Sequence, residues 1–344
     1  MRKIFLSLFI CVLSTAVSVA QTTTYHLPKT AVRVSILVEK QSYSPGMLSL
    51  YAQRFLKKNV AQESYDAYRI IGTHLEPYAI PDTARVFEAK IDNRLNNNMF
   101  TLSEENILLG INTEGKALKY RTPFAPAPKG APLDPYKYLS QEIISAGSKL
   151  KMAELCSNEI YDIRESINEL TRGQADYMPK DGRQLEIMLK NLETQELALR
   201  QMFEGVMTTD TVEHTLIYIP ERDTTREVLF RFSTHFGLVG SDDLSGEPFY
   251  AVTEDMHSMP ARINETGKKA PKDETGIWIA IPGKIRFSLA DDRKAFKTIE
   301  LSAAQFGEIE NLTEPLFSKK VKTTVILNPY NGGIEKIESN PIEK

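Results

Sequence analysis

The chain predicts an α+β fold in which a strand-rich N-terminal domain, a helical hairpin and a C-terminal antiparallel β domain, sandwich-like or barrel-like, follow one another. Three observations carry this. Ala31 to Lys40 alternates strictly, with Val32, Val34, Ile36 and Val38 on one face and Arg33, Ser35 and Glu39 on the other, the period of a half-buried strand. Residues 136–206 change to helical spacing. After Val212 short apolar runs alternate with turn residues, as in sandwiches and barrels.

The first twenty residues read as a signal peptide. Arg2 and Lys3 precede the apolar run Ile4 to Val19, and Ser18-Val19-Ala20 places small residues at the third-last and last positions before Gln21. The run is shorter than the roughly 20 residues that a spanning helix needs. Cys11 follows Ile10 inside that run, so it does not resemble a lipidation site. The expected location is therefore exported, in the periplasm or at the cell surface, with no membrane span after signal removal.

The N-terminal α+β domain is expected over residues 21–122. After the first strand, Ser44-Pro45 reads as an N-cap with proline at the first helical position, and Leu48, Tyr51, Ala52, Phe55 and Leu56 recur at helical spacing. Tyr65 to Leu75, Thr83 to Ile91 and Asn106 to Ile111 are rich in β-branched and aromatic residues. Asn112-Thr113-Glu114-Gly115 is expected to turn the last of these back onto Ala117 to Tyr120.

Residues 123–135 form a proline-rich stretch that reads as a linker. The helical hairpin follows over 136–206. Its first arm carries Leu139, Ile143, Leu150, Leu155, Ile160, Ile163, Ile167 and Leu170, with a break at Gly147-Ser148 and an end at Gly173. Its second arm starts at the capping pair Asp181 and Gln184 and carries Leu185, Met188, Leu189, Leu192, Leu199, Met202 and Phe203 up to Gly205. Ile160, Ile163, Ile167, Leu185, Leu189 and Leu192 are expected to be buried between the two arms.

The C-terminal β domain is expected over 207–344. Its strands are Glu213 to Ile219, Glu227 to Ser233, Pro248 to Thr253, Ile277 to Ile281, Lys284 to Leu289 and Lys322 to Leu327, and Asn331-Gly332 turns the last onto Ile334 to Ile337. Thr253 to Thr275 reads as a long loop.

Several strings, in this order, resemble one family. They are Pro45-Gly46 before the Leu48 to Leu56 helix, Ala146-Gly147-Ser148, Ile160-Tyr161-Asp162-Ile163-Arg164-Glu165-Ser166, Met178-Pro179-Lys180-Asp181-Gly182 and Met202-Phe203-Glu204-Gly205. Arg231-Phe232-Ser233, Gly237-Leu238-Val239 and Gln305-Phe306-Gly307 complete the set. In order and spacing they resemble the exported proteins of Bacteroides-type bacteria grouped as domain of unknown function 4831. Ile277-Trp278-Ile279-Ala280-Ile281-Pro282 departs from a more aromatic and basic pattern. The resemblance implies a cell-envelope location and transfers no catalytic residue.

Composition narrows the function classes. Removing Arg2 and Lys3 takes the net charge from −3 to about −5, with no basic block, so neither nucleic acid nor an anionic membrane is a favoured partner. Cys156 is the single cysteine after Cys11 is removed, so the exported chain has no internal disulfide. It sits among helical apolar positions and reads as a buried, inert thiol.

His26, His74, His214, His235 and His257 never fall at i, i+4, and no zinc-hydrolase, nucleophile-elbow or phosphate-loop motif occurs. No cofactor is expected. Asp242, Asp243 and Glu247 form a weak metal candidate in a glycine-bearing turn that lacks the EF-hand pattern. Asp162, Arg164, Glu165, Asp176 and Asp181 make the densest ionic group, read either as an interaction surface or as a charge network fixing the hairpin. Trp278 alternates with Ile277 and Ile279 and reads as sheet packing ahead of sugar stacking. The function expected is a non-catalytic binding or structural module of the cell envelope, its partner an envelope protein or glycan. The alternative is a carboxylate-based glycan hydrolase, which needs two carboxyl groups about 5–9.5 Å apart across a cleft.

Overall fold

The structure is a computed structural model, and it describes residues 22–90, 99–130, 133–221, 223–258, 276–317 and 321–341. The expected signal peptide, the cleavage point before Gln21 and residues 259–275 of the expected long loop lie outside the described residues.

The chain begins with β1 (Thr22–Ser44), a short helix α1 (Ala52–Leu56) and β2 (Tyr65–Lys90). Then come β3 (Phe100–Leu102), β4 (Leu108–Ile111) and three helices, α2 (Gln141–Ile144), α3 (Lys149–Arg172) and α4 (Gly182–Glu204). The remainder is strand: β5 (Val206–Tyr218), β6 (Thr224–Ser233), β7 (Gly237–Val239) and β8 (Glu247–Asp255), then β9 (Gly276–Ala290), β10 (Ala295–Thr313), β11 (Val321–Leu327) and β12 (Ile334–Pro341). Antiparallel ladders build three sheets, ordered β2-β1-β5, β10-β9-β8-β6-β7 and β12-β11-β4-β3. The α+β class with a helical hairpin is the one the sequence predicts.

The alternating face of β1 explains how the sheets meet. Val32, Val34, Ile36 and Val38 are buried against Phe230, Phe249, Phe287 and Leu289 of the five-stranded sheet, so two sheets close face to face over one apolar layer. A second layer joins Tyr25, Leu27, Leu108, Ile111, Ile277, Ile279, Val325 and Leu327. The long strands serve both layers. β1 and β2 shift register between His26 and Pro28, and β9 and β10 between Ala303 and Glu308, bulges that bend each ribbon from one layer to the other.

The expected division at 122 and 207 cuts through two of these sheets. β5 pairs with β1 from Val32↔Tyr218 to Ser44↔Val206, and β11 pairs with β4 at Val325↔Ile111. The physical reason is cover: the apolar face of β1 is closed by side chains from the last third of the chain. Two expected strands, Tyr65 to Leu75 and Thr83 to Ile91, the latter as far as Lys90 where the described residues end, are parts of β2, which passes through Pro77 and Pro81. As the edge strand of its sheet, β2 tolerates the missing N–H groups. Ile277 to Ile281 and Lys284 to Leu289 likewise merge into β9.

The helix expected from Ser44-Pro45 starts later. β1 runs to Ser44, and a 3-10 turn at Ser49–Tyr51 precedes α1. Pro45-Gly46 instead docks on α4: Leu48 N–H donates to the Met202 carbonyl at 2.7 Å, and a β-carbon on Gly46 would overlap that carbonyl. The expected hairpin from Ile111 onto Ala117 to Tyr120 does not form, because residues 113–120 leave the sheet and Leu118 packs beside Ala79 and Leu109.

The hairpin arms match their sequence signals. Ser148 caps α3 by accepting from Lys151 N–H, Gly173 ends it at φ 71°, and Asp181 caps α4 by accepting from Gln184 N–H at 2.8 Å. The burial differs from the expected stripe. Ile160, Ile163, Leu199, Met202 and Phe203 form a core with Leu48 and Ala52, Ile167 and Leu192 pack at its edge, and Leu185 and Leu189 stay half exposed. Two helices alone cannot enclose the distal half, whereas α1 and α2 close the base.

Candidate functional site

The outward face of the β2-β1-β5 sheet carries charge at matched positions. Arg33 on β1 lies opposite Glu76 on β2, and Glu213 on β5 lies opposite Leu37. The proline-rich stretch expected as a linker crosses this face as a strap. Arg33 pairs with Glu76 and donates to the Arg121 carbonyl at 2.7 Å, while Arg121 N–H donates to Glu76 at 3.0 Å. Further along, Arg121 and the Phe124 N–H both bind Glu213, and Lys129 binds Asp210. Burial pushes the Glu213 carboxyl up, but the Phe124 amide, the Ser35 hydroxyl and Arg121 outweigh it and hold it below the usual carboxylate range.

The strap places Tyr120 in the wall of a groove of about 480 Å³. Tyr78 of β2 stacks on Tyr120 with ring centroids 4.7 Å apart, Tyr330 meets Tyr120 edge-on at 5.9 Å, and the Arg33 guanidinium lies 5.2 Å from the Tyr120 ring. Leu102, Leu109 and Leu118 line the apolar side, and the exposed Glu104 and Glu105 line the same groove. The Tyr120 hydroxyl accepts from Ala79 N–H at 3.3 Å, and burial pushes it up to about 12, so it stays neutral. Tyr330 fixes the strap from the other side, its hydroxyl accepting from Lys119 N–H and donating to the Lys119 carbonyl. The groove thus offers stacked rings, an apolar wall and two exposed carboxylates, which suits a ligand with both apolar faces and hydrogen-bond donors.

A second cavity, about 370 Å³, brings together two carboxylates that sequence could not nominate, Glu310 of β10 and Glu335 of β12. Glu335 is engaged by Lys116 and accepts from Asn328 Nδ2 at 2.9 Å. A third, about 460 Å³, lies beside α3 and is lined by Glu142, Glu159 and Asp162.

The sequence-derived candidates fall apart in space or serve the fold. Arg164 binds Glu196 of α4 at 2.7 Å and lies 5.6 Å from the Tyr161 ring; Asp181 is the α4 cap. Glu165 and Asp176 are exposed, and Asp162 faces the third cavity. Asp243 accepts from Ser245 N–H and Asp242 from the Ser241 hydroxyl, in a turn that Arg231 clamps at the Ser241 and Gly246 carbonyls. Among the described residues, no three His, Cys, Asp or Glu side chains are gathered as a metal would need, Asp242, Asp243 and Glu247 included. Cys156 is buried, and burial pushes its thiol up to about 12. Trp278 stacks on Phe87 at 5.6 Å, and both its main-chain groups bond the Tyr25 hydroxyl.

Sequence reading missed Tyr78, Tyr120, Tyr330, Glu104 and Glu105. They come from separate segments with no common spacing, and only the packing of those segments in space brings them together. No helix among the described residues is long and apolar enough to cross a membrane.

No curated protein and no solved structure matches the chain. A family model described as a domain of unknown function (DUF4831) matches residues 21–335, nearly the whole chain, and the chain therefore belongs to that family.

Proposed function

We propose that this is an exported cell-envelope protein that binds a glycan without chemically altering it, and that the Tyr78–Tyr120 groove is its binding site. The stacked tyrosine pair in the groove wall carries the reading: sugar rings pack their C–H faces on aromatic rings, and Glu104 and Glu105 would accept from sugar hydroxyls. Export is supported by Arg2, Lys3 and the apolar run before Ser18-Val19-Ala20. The family match also begins at residue 21, where that signal would be removed.

The hydrolase alternative has one observation behind it, the shared cavity of Glu310 and Glu335. Lys116 engages one oxygen of Glu335 and Asn328 the other, so this carboxylate is tied into the fold at both oxygens.

Calorimetric titration of the chain beginning at Gln21 against a panel of envelope glycan fragments tests the reading. Saturable binding that Tyr78→Ala weakens about tenfold is expected. Release of reducing ends from any fragment, abolished by Glu310→Gln, would replace it with the hydrolase reading.

A further inference from the structure

One edge of the four-stranded sheet is β12. β12 pairs with β11 alone among the described strands, and all eight of its residues are exposed. Ile337 lies opposite Val325 on the face that continues into the core, yet it remains 43% exposed, and Ile334 is 41% exposed. Lys336 and Glu338 share the opposite face and pair with each other at 2.7 Å. An edge with branched apolar residues on a strand exposed on both faces is a template for another strand.

We propose that β12 pairs antiparallel with β12 of a second copy of this chain, across a two-fold axis at Ile337. The charge pattern fixes this partner and this register. With Ile337 opposite Ile337 of the second copy, Lys336 falls opposite Glu338 of that copy and Glu338 opposite its Lys336, giving two direct cross-strand ion pairs. The two Ile337 side chains then extend the row begun by Val325. Centring the axis on Lys336 instead would oppose lysine to lysine, and centring it on Glu338 would oppose glutamate to glutamate. The alternatives are therefore penalised by the same residues that favour the proposed pairing. Pro341 has no N–H to offer and closes the ladder at its end.

Sedimentation equilibrium of the chain beginning at Gln21, over a range of concentrations at low salt, tests this. The wild-type chain is expected to dimerise. Lys336→Glu and Glu338→Lys each place like charges opposite one another and are expected to weaken the dimer about tenfold. The double variant Lys336→Glu/Glu338→Lys restores opposite charges and is expected to recover wild-type association. Melting temperatures of all four, taken at concentrations low enough that each is monomeric, should agree, since both residues are exposed. A chain that stays monomeric, including one whose β12 accepts only some other protein, would overturn the proposal, as would a dimer indifferent to both single variants.

Discussion

The side-chain amide of Gln305 closes both main-chain groups of Thr30: its Oε1 accepts from the Thr30 N–H at 3.0 Å and its Nε2 donates to the Thr30 carbonyl at 2.7 Å. The remaining Nε2 hydrogen reaches the Pro220 carbonyl at 2.7 Å, and the Thr30 hydroxyl accepts from Ala304 N–H at 3.1 Å. The β9–β10 bulge is thereby tied to β1 near its own register shift, across most of the chain. Thr30 is fully buried, so Gln305→Ala leaves main-chain groups without partners. A loss of about 1–3 kcal/mol is expected in denaturant melts.

The same bulge requires glycine. A β-carbon on Gly307 would overlap the Ile281 carbonyl, and one on Gly283 would overlap the Phe306 carbonyl. Gly307→Ala is expected to cost about 3 kcal/mol. Gly147, with nothing near its missing side chain, is the control, and its alanine variant should stay within about 0.5 kcal/mol of wild type.

The two ends of the helical hairpin should respond differently to charge. Ile163 is 6% exposed in the core formed with Leu48 and Phe203, and Ile163→Asp buries an unpaired carboxylate. Thermal melts should show a loss of about 4 kcal/mol or more. Leu185 is half exposed on the distal half, so Leu185→Asp should cost no more than about 1 kcal/mol.

Cys156 sets an alkaline dependence of stability. Burial raises its thiol from the ordinary value near 9 to about 12 in the folded chain, so the native state holds a proton that the unfolded state has released. This contribution is complete below pH 9 and is lost as pH rises from 9 to 12. Tyr120, raised from 10 to about 12, acts in the same direction over the upper part of that window. Stability measured between pH 8 and 11 should fall, and Cys156→Ser should flatten the early part of the fall. Native Cys156 should also react with a thiol reagent only after unfolding.

The strap can be loosened at one residue. Glu213 receives Arg121 and the Phe124 N–H, so Glu213→Ala should speed proteolytic cleavage within residues 124–130 several-fold while the sheets remain intact. Equal cleavage rates in both proteins would show that the strap is held elsewhere.

What was legible in the sequence is local. The strand Ala31 to Lys40, the stop at Gly173 and the Asp181–Gln184 cap each depend on a few neighbouring residues, and each appears where expected. β10 was missed because Ala303 to Gly307 interrupt its pattern, and that interruption is the bulge that meets Thr30. The sharing of sheets between the two ends of the chain, and the meeting of Tyr78, Tyr120 and Tyr330, depend on pairing across long separations that no spacing rule records. The acidic candidates were read either as a surface or as part of the fold, and Asp181 and Asp243 cap and turn the backbone.

Site-resolved NMR of ring-labelled tyrosines, during titration with envelope glycan fragments, tests the central claim that the tyrosine groove binds a glycan. Saturable shifts at Tyr78 and Tyr120, absent at the distant Tyr177 on the hairpin loop and lost in Tyr78→Ala, are the predicted result. Saturable glycan binding that leaves both Tyr78 and Tyr120 unshifted, or no binding by any fragment, would contradict it.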